Sequence, residues 1–244
     1  MIFERELAVV PLLCGRLILE RSVFSGRSYD QVLELPVFAF LIVHPKSYIL
    51  FDTGLPSELW LSQTSLKLTE GLTAVTGESM GLLGELKRRG YAPGKISILV
   101  NSHGHVDHTG GNRLLSQARI YRKTSESSNA SGTAEFNESL RKTVFVKGDY
   151  DLFGDGSVRI LATPGHSSDH QSLLVQGKNR QALFTGDACF RPANLESLTL
   201  PLIVENREQA LSSLKRLKEI ISLTENVIVF TSHDPIAEGK EIYL

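Results

Sequence analysis

Cysteine is scarce in this sequence: Cys14 and Cys189 are the two thiols in 244 residues. They lie far apart and in no C-x-x-C spacing, which excludes a disulfide framework and implies free thiols in a reducing compartment. An excess of either charge is also missing. With 26 basic and 27 acidic residues mixed along the length and a net charge of −1, there is no electrostatic footprint for nucleic acid or an anionic membrane. Long hydrophobic runs are absent too. The longest, Val37 to Val43, has the length of a strand, far short of the ~20 residues that cross a bilayer. At the start, Glu4, Arg5 and Glu6 stand where a signal peptide wants only positive charge, and Arg16 interrupts the apolar run that follows. The expectation is a mature cytoplasmic protein. Neither a repeat nor a Pro/Gly-rich linker divides the chain, so a single domain over residues 1–244 is expected.

What the chain does contain is a series of short apolar, β-rich runs. These are Leu7 to Leu13, Val37 to Val43, Ser47 to Phe51, Ile96 to Val100, Arg119 to Tyr121, Val158 to Leu161, Ser172 to Val175, Ala182 to Phe184 and Val227 to Phe230. The spacing predicts a helix over Arg207 to Ile221, with apolar positions Ala210, Leu211, Leu214, Leu217, Ile220 and Ile221 on one face. A second helix is expected over Gly81 to Arg89 and a third from near Asp107, while Ser125 to Leu140 is polar and weakly periodic, a mobile helix or loop. Hairpin-spaced strands with covering helices predict an α+β fold in which two sheets pack together with helices outside.

Histidine is concentrated in one place. Of seven in the chain, three fall within "SHGHVDH", directly after an apolar strand. In an extended segment, residues two apart point the same way, so His103 and His105 can present nitrogens to a single ion. A helix starting at Asp107 turns Asp107 and His108 toward a second position, with Gly110 and Gly111 left for close backbone packing. More ligands are needed, and three further strands end on them: "RILATPGHSSDH" on His166, "ALFTGDACF" on Asp187 and "VIVFTSHD" on His233. The expected set is His103, His105 and His166 on one ion, Asp107, His108 and His233 on the other, with Asp187 bridging. All offer nitrogen or oxygen, which suits zinc and also accepts iron, manganese or cobalt. Asp52, at the end of "YILFDTG", is a candidate to orient a ligand imidazole, and His170 to buttress the His166 turn; an ordinary turn or core polar role fits either as well. A single DTG lacks the paired carboxylates of an aspartic protease. His44, before Pro45, reads as an exposed turn residue.

"SHGHVDHTGG", "TPGH", "TGDA" and "SHD", in that order, resemble the metallo-β-lactamase superfamily. Within it, "LPVFAFLIVHPKSYILFDTGLP", "PGHSSDHQSLLV" and "ALSSLKRLKEII" are similar to the Bacillus-type N-acyl homoserine lactone lactonases. The resemblance implies an αββα sandwich, two mixed sheets with helices on the outer faces, and a dinuclear site at one edge. It implies hydrolytic opening of a lactone by water activated between two divalent ions, zinc first, with Asp107 as the catalytic proton carrier. Other branches fit less well. Glyoxalase II enzymes carry a C-terminal helical domain, whereas eleven residues follow His233; secreted β-lactamases want a signal peptide and a cysteine ligand; flavodiiron proteins want a glutamate at His105; RNA-processing members want a basic surface.

One departure stands out. The lactonases carry a tyrosine three positions after the bridging aspartate, whose hydroxyl contacts the substrate; here that position is Phe190. Loss of one such donor corresponds to roughly 3 kcal/mol, about a hundredfold in rate. Phe190 and the segment around Leu12, Leu13 and Leu17 are candidates for an acyl groove, although periodicity alone places the leucines in the core. Hydrolysis of another ester, thioester or lactam, or a catalytically weak metal-binding member, are the alternatives. The expected partner is a small lactone or ester, with no nucleic acid and no membrane, in a monomer or homodimer.

Overall fold

Every side chain from Val37 to Val43 is apolar, so this strand must be covered on both faces. In the computed structural model Phe38, Phe40 and Ile42 enter a core between two sheets, while Ala39, Leu41 and Val43 enter a second core on the opposite face. The structure describes residues 6–20, 32–56, 65–69, 72–75, 81–123, 142–201, 203–234 and 241–244. The stretch Ser125 to Leu140 lies outside them.

The described strands are β1 (Ala8–Glu20), β2 (Val32–His44), β3 (Ser47–Phe51), β4 (Ser65–Thr69), β5 (Leu72–Val75), β6 (Ile96–Val100) and β7 (Arg119–Lys123). They continue with β8 (Thr143–Val146), β9 (Tyr150–Asp151), β10 (Val158–Ala162), β11 (Gln171–Gln176), β12 (Gln181–Phe184), β13 (Val227–Phe230) and β14 (Ile242–Tyr243). One sheet runs β4-β5-β1-β2-β3-β6-β7-β8, with β14 also beside β1; the other runs β13-β12-β11-β10-β9. Both are mixed. In the first, β3, β6, β7 and β8 pair in parallel and the rest antiparallel; in the second, β12 and β13 are the parallel pair.

The described α-helices are α1 (Leu82–Arg88), α2 (Val106–Thr109), α3 (Pro192–Ser197) and α4 (Arg207–Ser222). Leu82 and Leu86 of α1 pack on Leu12, Leu41, Leu50 and Leu99 outside the first sheet. Leu214 and Leu217 of α4 pack on Leu161, Leu174 and Leu183 outside the second. Between the sheets, Phe40, Phe51 and Ile49 meet Ile160, Leu173, Phe184 and Phe230. The layers are therefore α, β, β, α, as the resemblance implies. The helix expected over Arg207 to Ile221 is α4; Asn206 caps it, its side chain accepting from Gln209 N–H at 3.0 Å. No helix among the described residues is long and apolar enough to cross a membrane.

Three expectations need correction. His44 is buried, 5% exposed, and its ring stacks on Phe153 at 4.8 Å between centroids. It is the last residue of β2, and the β9–β10 connection covers it, a long-range packing that no local pattern announces. Leu12 and Leu17 are buried and Leu13 packs against the inter-sheet core, so this segment follows its periodicity and forms no groove. The strand expected over Leu7 to Leu13 runs on to Glu20 because β2 and β5 continue to pair with it past an irregularity between Leu13 and Arg16.

Candidate metal centre

Five strands end at the same edge of the sandwich. Beyond β3 comes Asp52, beyond β6 the loop 101–105, beyond β10 the turn to His166, beyond β12 the Gly186–Ala188 turn with Asp187, and beyond β13 His233. The fold delivers a polar side chain at each end because the apolar alternation stops there and the chain turns.

The turns are held by close backbone contacts that demand glycine. A Cβ on Gly110 would fall 2.3 Å from Pro56 N, and one on Gly111 2.7 Å from Thr53 O. This lets α2 lie directly against the turn after β3: Gly110 N–H donates to Gly54 O at 3.0 Å, and Thr53 N–H to His108 O at 2.9 Å. The close packing expected of Gly110 and Gly111 is present.

Among the described residues, two groups of ligand-type side chains converge, each with its ligand atoms within 4.8 Å of one another: His103, His105, His166 and Asp187, and then Asp107, His108 and His233. His105 Nδ1 lies 3.2 Å from His166 Nε2. Asp187 sits between the groups, with Oδ2 3.4 Å from His166 Nε2 and Oδ1 3.3 Å and 3.2 Å from His108 Nε2 and His233 Nε2. Asp107 Oδ2 is 3.4 Å from His108 Nε2 and 3.7 Å from His233 Nε2. All are buried except His105.

Three of the ligand rings are fixed through their other nitrogen. His108 Nδ1–H donates to Asp52 Oδ2 at 2.8 Å, His166 Nδ1–H to Ile203 O at 2.8 Å, and His233 Nδ1–H to Pro36 O at 2.8 Å. In the neutral ring such a bond keeps the proton on Nδ1 and leaves Nε2 to bind a cation. His103 Nε2, His108 Nε2 and Asp187 Oδ1 are buried with no hydrogen-bond partner. Proteins pair most of their buried polar atoms, so three unpaired ligand-type atoms brought together at one centre fit divalent cations.

The electrostatics agree. Burial alone would raise the Asp187 carboxyl, but His108, His233 and His166 hold it well below the usual carboxylate range. Burial alone would push His108 down, yet Asp187, Asp107 and Asp52 raise it well above its ordinary value. The carboxylates therefore draw positive charge into a desolvated pocket, the condition in which a cation binds. His103 is driven the other way, well below its ordinary value, by burial and by neighbouring His108.

The structure places both candidate supporting residues. Asp52, wholly buried at φ 61°, accepts from His108 and from Ser102. His170 Nδ1–H donates to Thr163 O at 3.0 Å while Nε2 accepts from Asp187 N–H at 3.0 Å. Its ring thus steadies the Asp187 turn, and burial, aided by His166, pushes it down to about 3, in keeping with a neutral acceptor. The Phe190 ring lies beside two ligand rings and steeply inclined to both, its centroid 5.2 Å from that of His233 and 6.5 Å from that of His166. Sequence reasoning missed Ser102 and Gln171, whose Nε2 donates to Asn101 O at 2.7 Å and Tyr121 O at 3.0 Å. Their only signal is polarity next to a ligand. The carbonyls of Pro36 and Ile203 carry no side-chain signal at all.

Comparison with known proteins gives a consistent result. Residues 32–233 match the profile of the metallo-beta-lactamase superfamily. The chain is 36% identical to the N-acyl homoserine lactonase of Bacillus cereus, covering 94% of this chain and 93% of that protein. A crystal structure of a variant of B. thuringiensis AiiA, with N-decanoyl-L-homoserine at its active site, superposes with a TM-score of 0.78 at 30% identity over 94% of both chains. AidC, a dizinc quorum-quenching lactonase, shares the fold with a TM-score of 0.70 at 18% identity over 96% of this chain and 90% of its own.

Proposed function

The chain belongs to the metallo-beta-lactamase superfamily, and from that premise we propose that it is a metal-dependent hydrolase that opens the ring of N-acyl homoserine lactones. The observation that carries this reading is the convergence of two ligand groups on Asp187, with unpaired, buried nitrogen and oxygen atoms aimed at the shared space. We assign His103, His105 and His166 to one divalent ion, Asp107, His108 and His233 to the other, and Asp187 to both. Zinc suits an all nitrogen-and-oxygen set of this kind.

Two such ions, when bound, polarise a carbonyl oxygen and bring the pKa of a bound water toward neutrality. The protein's own residues do the rest. Asp187 and the histidines hold the reacting groups in a fixed frame. Asp107 has the more accessible of the two ligand carboxylates, 11% against 5% for Asp187, as a proton carrier requires. It takes the proton of the attacking water and passes it to the ring oxygen as the ring C–O bond breaks, giving the open N-acyl homoserine. Val106 and Ile203, 38% and 52% exposed beside ligand residues, offer apolar surface for an acyl chain, with Phe190 as the inner wall. The free, buried thiols of Cys14 and Cys189 support a reducing, cytoplasmic setting.

Phe190 favours one second reading: its ring carries no hydroxyl, and an ester or thioester other than a lactone is the substrate. Ring opening of short- and long-chain N-acyl homoserine lactones by metal-quantified protein decides between them, with a thioester, a chelator blank and Asp107→Asn as controls. Chelator-sensitive lactone opening, lost in Asp107→Asn with metal retained, is the expected result. Thioester turnover without lactone opening would overturn the lactonase reading.

A further inference from the structure

Ser102 sits between the end of β6 and the first histidine, and its hydroxyl touches both ligand groups. Oγ lies 2.8 Å from Asp52 Oδ2, 3.0 Å from His103 Nδ1 and 3.3 Å from His108 Nδ1, whose shorter bond is the direct one to Asp52. A carboxylate only accepts, so the hydroxyl proton goes to Asp52 and the oxygen's lone pairs face His103. His103 Nδ1 must then carry a proton, which leaves its Nε2, a buried atom without a partner, as the cation-binding nitrogen. His108 reaches the same state by donating directly to the same carboxylate oxygen at 2.8 Å.

We propose that Ser102 is a positioning residue that extends one buried carboxylate to both ion-binding groups: Asp52 orients His108 directly and His103 through the Ser102 hydroxyl. The hydroxyl is held in place from three strand ends. Ser102 N–H donates to Asp52 Oδ1 at 2.7 Å beyond β3, and Ser102 O accepts from Gln171 N–H at 2.7 Å at the start of β11. Beyond β12, a Cβ on Gly186 would fall 2.8 Å from Ser102 Cβ, so the turn that bears Asp187 closes directly on this residue. The relay deepens the two-ion reading above and rests on it.

The consequence is asymmetric. Removing the hydroxyl frees His103 to take the other tautomer while the direct bond from His108 to Asp52 survives; removing the carboxylate releases both rings. The test is zinc competition against a chromophoric chelator on the full-length chain, which yields two stepwise affinities, alongside histidine ring ¹⁵N spectra of the zinc-loaded protein. Ser102→Ala is expected to weaken one ion by about 10–100-fold and to leave the other within roughly threefold, with the hydrogen-bonded Nδ1–H signal of one ring lost. Ser102→Thr, which keeps the hydroxyl, restores both readouts, and Asp52→Asn weakens both ions. Equal weakening of the two ions by Ser102→Ala, or two unchanged affinities with only a lower Tm, would overturn the relay and leave a packing role. A parent protein that binds fewer than two ions would overturn the two-ion reading itself, and the relay with it.

Discussion

Phe190 puts a ring where the resemblance to the lactonases implies a phenol. Its ring lies steeply inclined to those of His166 and His233, with centroids 6.5 and 5.2 Å away, and it donates no hydrogen bond to a reacting oxygen. Phe190→Tyr restores a donor at the same place. If the donor acts on the developing charge, the variant opens lactones faster by up to about a hundredfold in kcat, roughly 3 kcal/mol, with KM little changed. Steady-state kinetics read this directly, and an unchanged or lower kcat would mean that the centre is built for a substrate needing no such donor. At this scale the sequence is legible where residue type is both rare and chemically committed. His103, His105, Asp107, His108, His166, Asp187 and His233 stand at strand ends in a chain with seven histidines, and all converge. Ser102 is not legible because serine in a loop is ordinary turn chemistry, and its role appears only when Asp52, fifty residues earlier, is brought to 2.8 Å.

Elements matter through how tightly α4 is set against the His166 turn. Gly165 lies at φ +134°, and a Cβ there would fall 2.2 Å from Ala210 N and 2.3 Å from Ala210 Cα. Helix backbone cannot yield, so the turn, not the helix, must move. The segment before α4 also grips this turn, since Glu205 N–H donates to His166 O at 3.1 Å and Asn206 N–H to Gly165 O at 2.9 Å. Gly165→Ala is therefore expected to cost about 3 kcal/mol from overpacking and the disfavoured φ together, a fall in Tm of roughly 6–12 °C for a chain of this size. It should also weaken the ion held by His166. Gly148, at φ +55° with nothing within 4 Å of a Cβ, separates the two causes: its alanine variant carries the backbone strain alone and should lose no more than about 1–2 kcal/mol and no metal. Equal losses in melting scans of the two variants would show that packing against α4 is not what fixes the turn. The sequence discloses α4 because its apolar period is strong over sixteen residues. It discloses β4, β5, β9 and β14 poorly, since such short strands carry little pattern of their own and are defined by the partners they find.

For the whole molecule, the centre joins parts that the chain keeps far apart. Asp52, His103, His105, Asp107 and His108 come from the first sheet's strand ends, and His166, Asp187 and His233 from the second's. The sheets already share an apolar core, and at this edge Phe38 N–H donates to Ser232 O at 3.0 Å while His233 reaches Pro36 O. Layering follows from apolar alternation and strand count, whereas strand order does not: β14, at the far end of the sequence, pairs with β1 at Ala8 and Val9, a contact with no local cause. Ions bound to both sheets act on the folded state alone, because the unfolded chain scatters the ligands over more than a hundred residues. At free ion a thousandfold above its Kd, one site adds about 4 kcal/mol, which for this length is roughly 8–16 °C in Tm. Stripping the protein with a chelator is therefore expected to lower Tm by at least that amount and zinc to restore it, with the recovery saturating near two ions per chain. A melting curve indifferent to the chelator would mean that the ligands do not tie the sheets together, and that Asp187 and its histidines are satisfied by one another.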